Sequence, residues 1–183
     1  MRVSSILEEL VKEYEGKVRV VYKNMVVHPQ IVQNAHLAAC AASKQKKFLE
    51  YKHTFWDKGF GPYAASQGQD RASLGGDNLV KMAQDVGLNV DQFKADMKGP
   101  ECEQRLRDDQ AELAKFHVNG TPAFFINGKH IGGGIPKESF KEIIDDKLKV
   151  AEASGVSGGD YYEKEIMGKG EKTFRAKKDA RSN

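Results

Sequence analysis

Two cysteines, Cys40 and Cys102, are all that the 183 residues supply. They are too few for a disulfide scaffold and wrongly spaced for a zinc ribbon, and by themselves they place the chain in no compartment. Long apolar runs are missing as well: nothing approaches the roughly 18–20 residues needed to cross a membrane. The opening stretch, Met1-Arg2-Val3-Ser4-Ser5-Ile6-Leu7-Glu8-Glu9, has no apolar core of secretory-signal length and is already acidic. Nor is there a strong charge of one sign. The formal net charge is +3, and residues 171–183 carry all of it, with five Lys/Arg against two Asp/Glu, leaving 24 of each on the rest. A nucleic-acid groove needs a basic face with aromatics placed to stack. None is seen, so nucleic acid is not an expected partner, and the basic tail reads as solvated. Internal repeats and low-complexity tracts are absent.

What remains is the composition of a soluble globular protein, 39% hydrophobic and 30% charged. The length suits one domain with an insertion better than two domains. Val3, Ile6, Leu7, Leu10 and Val11 fall at three- and four-residue spacing, which predicts an opening amphipathic helix that Gly16 ends. Lys17-Val18-Arg19-Val20-Val21-Tyr22 alternates and is rich in β-branched residues, which predicts a strand. After His28-Pro29 an alanine-rich helix is expected over Ile31–Ser43, then a second with Phe48, Tyr51, Phe55 and Trp56 along one stripe. Gly59 to Gly76 reads as a loop. Leu79, Met82, Ala83 and Val86 mark a third helix, Val90 to Met97 a fourth, and Cys102, Leu106, Leu113 and Phe116 one face of a fifth.

The period then changes. Pro122-Ala123-Phe124-Phe125-Ile126 reads as a strand, Asn127-Gly128 as a two-residue hairpin turn, and Lys129-His130-Ile131 as the return strand. Gly132-Gly133-Gly134 leads to Pro136, placed for the first turn of a closing helix striped by Phe140, Ile143, Ile144 and Leu148. A short helix is expected around Tyr161–Met167, with a frayed end after it. Helix, strand, helical block, hairpin and helix together imply an α/β fold, a mixed sheet covered on both faces.

The phrase Phe116-His117-Val118-Asn119-Gly120-Thr121-Pro122-Ala123-Phe124-Phe125-Ile126-Asn127-Gly128 closely resembles the G-V-x-G-T-P-x-F-x-x-N-G phrase of the DsbA-like thioredoxin family. It departs from that phrase at the first glycine, here His117. Lys17–Tyr22, His28-Pro29, Lys47-Phe48-Leu49-Glu50-Tyr51 and Gly132 to Pro136 resemble the same family in the same order, so the likeness covers roughly residues 2–150. It implies a thioredoxin-like fold over residues 1–150 with an inserted helical block at about 29–116; composition, which turns to Gly, Lys and Asp from Ser154 onward, predicts a helical or disordered tail at 151–183. The implied activity is thiol–disulfide exchange on protein substrates. It implies further that Thr121-Pro122 is cis, and that Gly120, Thr121 and Pro122 hold an extended peptide or protein substrate by strand addition.

The family places a Cys-x-x-C at the start of the first helix, where the helix N-terminus lowers the thiol pKa, and a strand before it. Arg2-Val3 followed by Ile6-Leu7-Glu8-Glu9-Leu10 resembles the helix just after that motif, so the dithiol and its strand lie outside these residues, by truncation or by natural loss. No catalytic residue is therefore assigned, and the chain is expected to be redox-inactive as it stands. It is either an oxidoreductase seen without its dithiol or a non-catalytic partner-binding module. A gap left by a central strand would cost several buried, unpaired backbone groups, at about 1–3 kcal/mol each. The neighbouring strands are therefore expected to close up, or another segment or a second chain to fill in, the last giving a strand-exchanged dimer. The resemblance points to a periplasmic or extracytoplasmic home; the residues themselves carry no export signal.

Other candidates are weaker. His36 and Cys40 can share a helix face, but a zinc site needs about four ligands and no nearby pair completes it, so no metal is expected. Cys40 lies among Ala38, Ala39, Ala41 and Ala42 and reads as a small hydrophobe. Cys102 shares a stripe with Leu106 and Leu113. A bond between the two cysteines requires Cα atoms within about 7 Å and does not follow from sequence. Gly132-Gly133-Gly134 lacks the Gly-Lys-Ser/Thr of a phosphate loop and the spacing of a dinucleotide fingerprint, so no cofactor is expected. His28, His53, His117 and His130 show no spacing to a nucleophile or an acid.

Overall fold

The computed structural model describes residues 2–174, and its elements follow one another as helices α1 (Arg2–Glu13), α2 (Pro29–Lys44) and α3 (Phe48–Phe55), a π-helical turn (Trp56–Phe60), α4 (Gly61–Ala65), a 3-10 turn (Arg71–Leu74), then α5 (Gly76–Asp85), α6 (Val90–Lys98) and α7 (Pro100–Lys115). After α7 come strands β1 (Ala123–Ile126) and β2 (Lys129–Gly132), α8 (Lys137–Ala153), α9 (Gly158–Tyr161) and a second π-helical turn (Tyr162–Met167). Two compact units divide the chain: Met1–Tyr22 with Leu113–Asn183, and Lys23–Glu112.

The first unit is built on a β-hairpin. β1 and β2 are antiparallel, with Phe124 opposite Ile131 and Phe125 opposite His130. Asn127 (φ +42) and Gly128 (φ +84) close the turn, a left-handed pair that asparagine and glycine adopt at least cost. Leu10 of α1 and Phe140 and Ile144 of α8 are buried, with Ile6, Tyr14, Val18, Phe124, Ile126, Ile135 and Leu148 around them. Phe124 meets Phe140 edge to face at 5.1 Å. Burying side chains of this size stabilises by about 1.5–3 kcal/mol each. At the rim, Lys137 reaches Glu9 (2.7 Å) and Glu13, and Lys141 reaches Glu13 at 3.1 Å. The Tyr14 hydroxyl donates to Asp145 Oδ1 at 2.6 Å.

Lys17–Tyr22 does not form the expected strand. Its alternation survives, with Val18, Val20 and Tyr22 half-buried and Lys17, Arg19 and Val21 exposed, but no strand among the described residues pairs with it. The sheet of the described residues is β1 and β2 alone, antiparallel rather than mixed. Closure within the chain therefore has not happened: Lys17–Tyr22 has not moved onto β1, and no other described segment fills the place. Alternation marks a sequence able to line one face, but a strand exists only where a neighbour supplies the hydrogen-bond ladder.

The second unit is helical. Ala35, Ala38, Ala41 and Ala42 of α2 are buried with Tyr51, Leu79, Met82, Ala83, Leu88 and Phe93. Small side chains on α2 leave room for the Tyr51 and Phe93 rings, which sit 5.4 Å apart. The Tyr51 hydroxyl donates to the Leu79 carbonyl at 3.1 Å, and burial raises its pKa. Gly59–Gly76 is not the expected loop but a chain of short turns. Pro62 opens α4, the Asp70 carboxylate caps the 3-10 turn at the Ser73 N–H, and Asn78 donates to the Lys58 and Ser73 carbonyls. The punctuating residues read as breakers act here as helix starts.

Candidate functional site

The site begins where α7 ends. The Val118 N–H bonds to the Leu113 carbonyl (3.1 Å) and the His117 N–H to the Ala114 carbonyl (3.1 Å), the paired bonds of a Schellman C-cap. That motif puts His117 at the position that must turn left-handed, and its φ is +53. Glycine normally fills it because it has no Cβ to clash. This explains physically why the family phrase carries glycine there and why the histidine is a departure.

Beyond the buried Val118, the segment Asn119-Gly120-Thr121-Pro122 is exposed, and the Thr121–Pro122 peptide bond is cis. The Pro122 carbonyl accepts from the Gly133 N–H at 2.9 Å, which ties the loop to the glycine run after β2. Among the described residues no main-chain group bonds to the Gly120 or Thr121 backbone. A methyl group on Gly134 would lie 3.0 Å from Val3 Cγ2, a tight contact, so the first turn of α1 packs directly on this run. Val118–Ala123, with His117, His130, Gly132 and Gly133, line an open cavity of about 350 Å³.

Gly120, Thr121 and Pro122, singled out from the sequence, thus stand together on one cavity wall. His117 and His130 line it too and were missed, since neither has sequence spacing to a nucleophile or an acid. The available signal was His117 in the place of a glycine. The His130 ring lies 4.9 Å from that of Phe125.

The cysteines lie in the helical unit and are not free. Cys40 and Cys102 form a disulfide with Cα atoms 5.7 Å apart. The reading of Cys40 as a small hydrophobe is corrected: it is buried, but by joining α2 to α7 among Leu37, Leu106 and Val26. Among the described residues no cluster of three or more His, Cys, Asp and Glu side chains could hold a metal. His36 faces Asn24 instead, Nδ1 to Oδ1 at 3.0 Å. Asn24 Nδ2 donates to Asp109 Oδ2 at 2.7 Å, so Asn24 Oδ1 must accept and the His36 Nδ1 carries the proton. Burial lowers the His36 pKa, and the nearby Asp109 charge opposes that shift. The Asp109 carboxylate, itself buried, also accepts from the Asn24 N–H (2.9 Å) and pairs with Lys23 (3.3 Å).

A hairpin behind a cis-proline loop, closed by helices at both ends of the chain and interrupted by a helical block, defines a thioredoxin-like fold. A solved thioredoxin-like oxidoreductase from Silicibacter pomeroyi has the same fold, with a TM-score of 0.62 at 23% identity, over 81% of this chain and 78% of that one. The thioredoxin family model matches residues 2–146, and the chain belongs to this family, in its DsbA-like branch. Proteins named probable disulfide bond formation protein D, from Bacillus anthracis and Bacillus cereus, are each 26% identical to it over 149 residues. The match takes in 79% of this chain and 65% and 66% of those relatives, so the chain spans about two thirds of their length. No helix among the described residues is long and apolar enough to cross a membrane.

Proposed function

We propose that this chain is the partner-docking part of a thiol–disulfide oxidoreductase, gripping an extended peptide at Gly120, Thr121 and Pro122 and carrying out no dithiol exchange itself. The observation that carries the docking half is the exposed Gly120–Thr121 backbone, with no main-chain partner among the described residues, on a cavity wall beside the first turn of α1. A peptide backbone laid there would gain hydrogen bonds by strand addition. β1, paired on one side only, would extend the same ladder. The inactivity rests on chemistry. The 183 residues contain no Cys-x-x-C. The two cysteines are bonded to each other, with Cys102 fully buried and Cys40 nearly so, out of reach of an attacking thiolate.

Residues 1–150 are read as the domain, with 29–116 as its helical insertion and 151–183 as an extension. A buried structural disulfide is at home in an oxidising compartment, which supports an extracytoplasmic location. The free side of β1 leaves a strand-exchanged dimer open to test by light scattering.

Two assays test the proposal. In dithiothreitol-driven insulin reduction the chain should give no acceleration over buffer; turnover would overturn the inactivity. In calorimetry, S-carboxymethylated insulin B chain should bind, and Thr121→Pro, which deletes one main-chain donor, should weaken binding about tenfold, the worth of one hydrogen bond. Unchanged affinity in that variant would remove the docking role from Thr121. Binding without turnover is expected both of an oxidoreductase part lacking its dithiol and of a non-catalytic partner-binding module, and restoring a strand and Cys-x-x-C ahead of α1 should revive turnover only in the first.

A further inference from the structure

The family match stops at residue 146, but the described chain continues to Phe174 and returns to the hairpin unit at two points. The Arg19 guanidinium lies 5.0 Å above the Tyr162 ring, so the extension meets the Lys17–Tyr22 segment at Arg19. At the far end the Phe174 ring stacks on His117, with centroids 4.8 Å apart and planes 28° from parallel. The Phe174 N–H also donates to the Lys115 carbonyl at 2.8 Å. The C-cap uses the Leu113 and Ala114 carbonyls, so the carbonyl of Lys115, an orphan of the helix end, is satisfied by the extension.

We propose that Gly158–Phe174 is a strap, and that Phe174 is a positioning residue that fixes His117 and through it the Val118–Thr121 wall of the docking cavity. His117 occupies a left-handed position where glycine costs less, so the histidine is unfavourable for the backbone and needs another reason to be there. The stack supplies one, because only a ring at this position offers Phe174 a flat face. His117 also lines the cavity. A contact made by the extension is thus passed across one residue to the wall. Phe174 remains half exposed, so the contact can open without unfolding the unit.

Amide hydrogen exchange on the full chain tests this whether or not any peptide docks, so its failure is separate from failure of the docking proposal. An aromatic pair of this kind is worth roughly a two- to tenfold change in a local opening equilibrium. Phe174→Ala should speed exchange by that factor at residue 174 and, equally, at Val118 and Gly133, whose N–H groups are held by the Leu113 and Pro122 carbonyls at the two ends of the wall, while Phe174→Tyr should restore the original rates. His117→Asn, which tolerates the left-handed backbone but has no ring, should reproduce Phe174→Ala, and the double variant should add nothing. Faster exchange at residue 174 with unchanged rates at Val118 and Gly133, or additive effects in the double variant, would overturn the strap.

Discussion

Removing the Cys40–Cys102 bond should cost the helical unit most of its margin of stability. The bond closes a loop with 62 residues of sequence separation between α2 and α7. Cutting a loop of that length returns conformational entropy to the unfolded chain equivalent to about 4 kcal/mol at 25 °C. A domain's whole stability is about 5–15 kcal/mol. With a urea slope of about 1–2 kcal/mol/M, the midpoint should fall by about 2–4 M in Cys40→Ala/Cys102→Ala. The natural sequence under reducing conditions should follow the variant once the bond has been opened by transient unfolding. Circular dichroism against urea, with and without dithiothreitol, reads both. A loss below about 1 kcal/mol would show that the reduced, unfolded chain is already constrained and would refute the entropic reasoning.

Three further outcomes follow from the polar contacts. Asp109→Asn should destabilise by about 1–3 kcal/mol in urea melts, because the amide cannot serve Asn24 and Lys23 as the buried carboxylate does. Burial lowers the His36 pKa below its unfolded value, so the unfolded chain binds the proton first, and stability should fall as pH drops through about 6.5; the pH dependence of the melt should flatten in His36→Gln. Burial, aided by the Asp145 bond, pushes the Tyr14 pKa up to about 12, so its contribution is intact below pH about 10 and is lost as pH rises through 12. Ultraviolet titration should show one late tyrosine of that kind disappear in Tyr14→Phe.

Periodicity told the helices well, because α2, α5, α6 and α7 each bury one stripe and the stripe is written in the residues. The hairpin was legible for a local reason: Asn127-Gly128 is the pair that the left-handed turn requires. Lys17–Tyr22 failed because a strand is a property of two segments, and alternation describes only one. The Gly59–Gly76 run failed because proline, aspartate and asparagine serve both as breakers and as caps, and packing decides which. The disulfide was invisible because it depends on how α2 and α7 pack, which the spacing of two cysteines does not encode. At the site, the loop residues came from the resemblance, whereas the partnership of His117 with Phe174 lies across 57 positions that no local pattern connects.

The docking edge can be observed residue by residue in a nitrogen-15-labelled sample of the full chain titrated with S-carboxymethylated insulin B chain. Peptide seated along Thr121 should shift the amides of Gly120, Thr121 and Ala123 most, saturably and below about 1 mM, with the Cys40–Cys102 region unmoved. Saturable binding whose largest shifts fall in Lys23–Glu112, leaving Gly120 and Thr121 unchanged, would contradict the proposal.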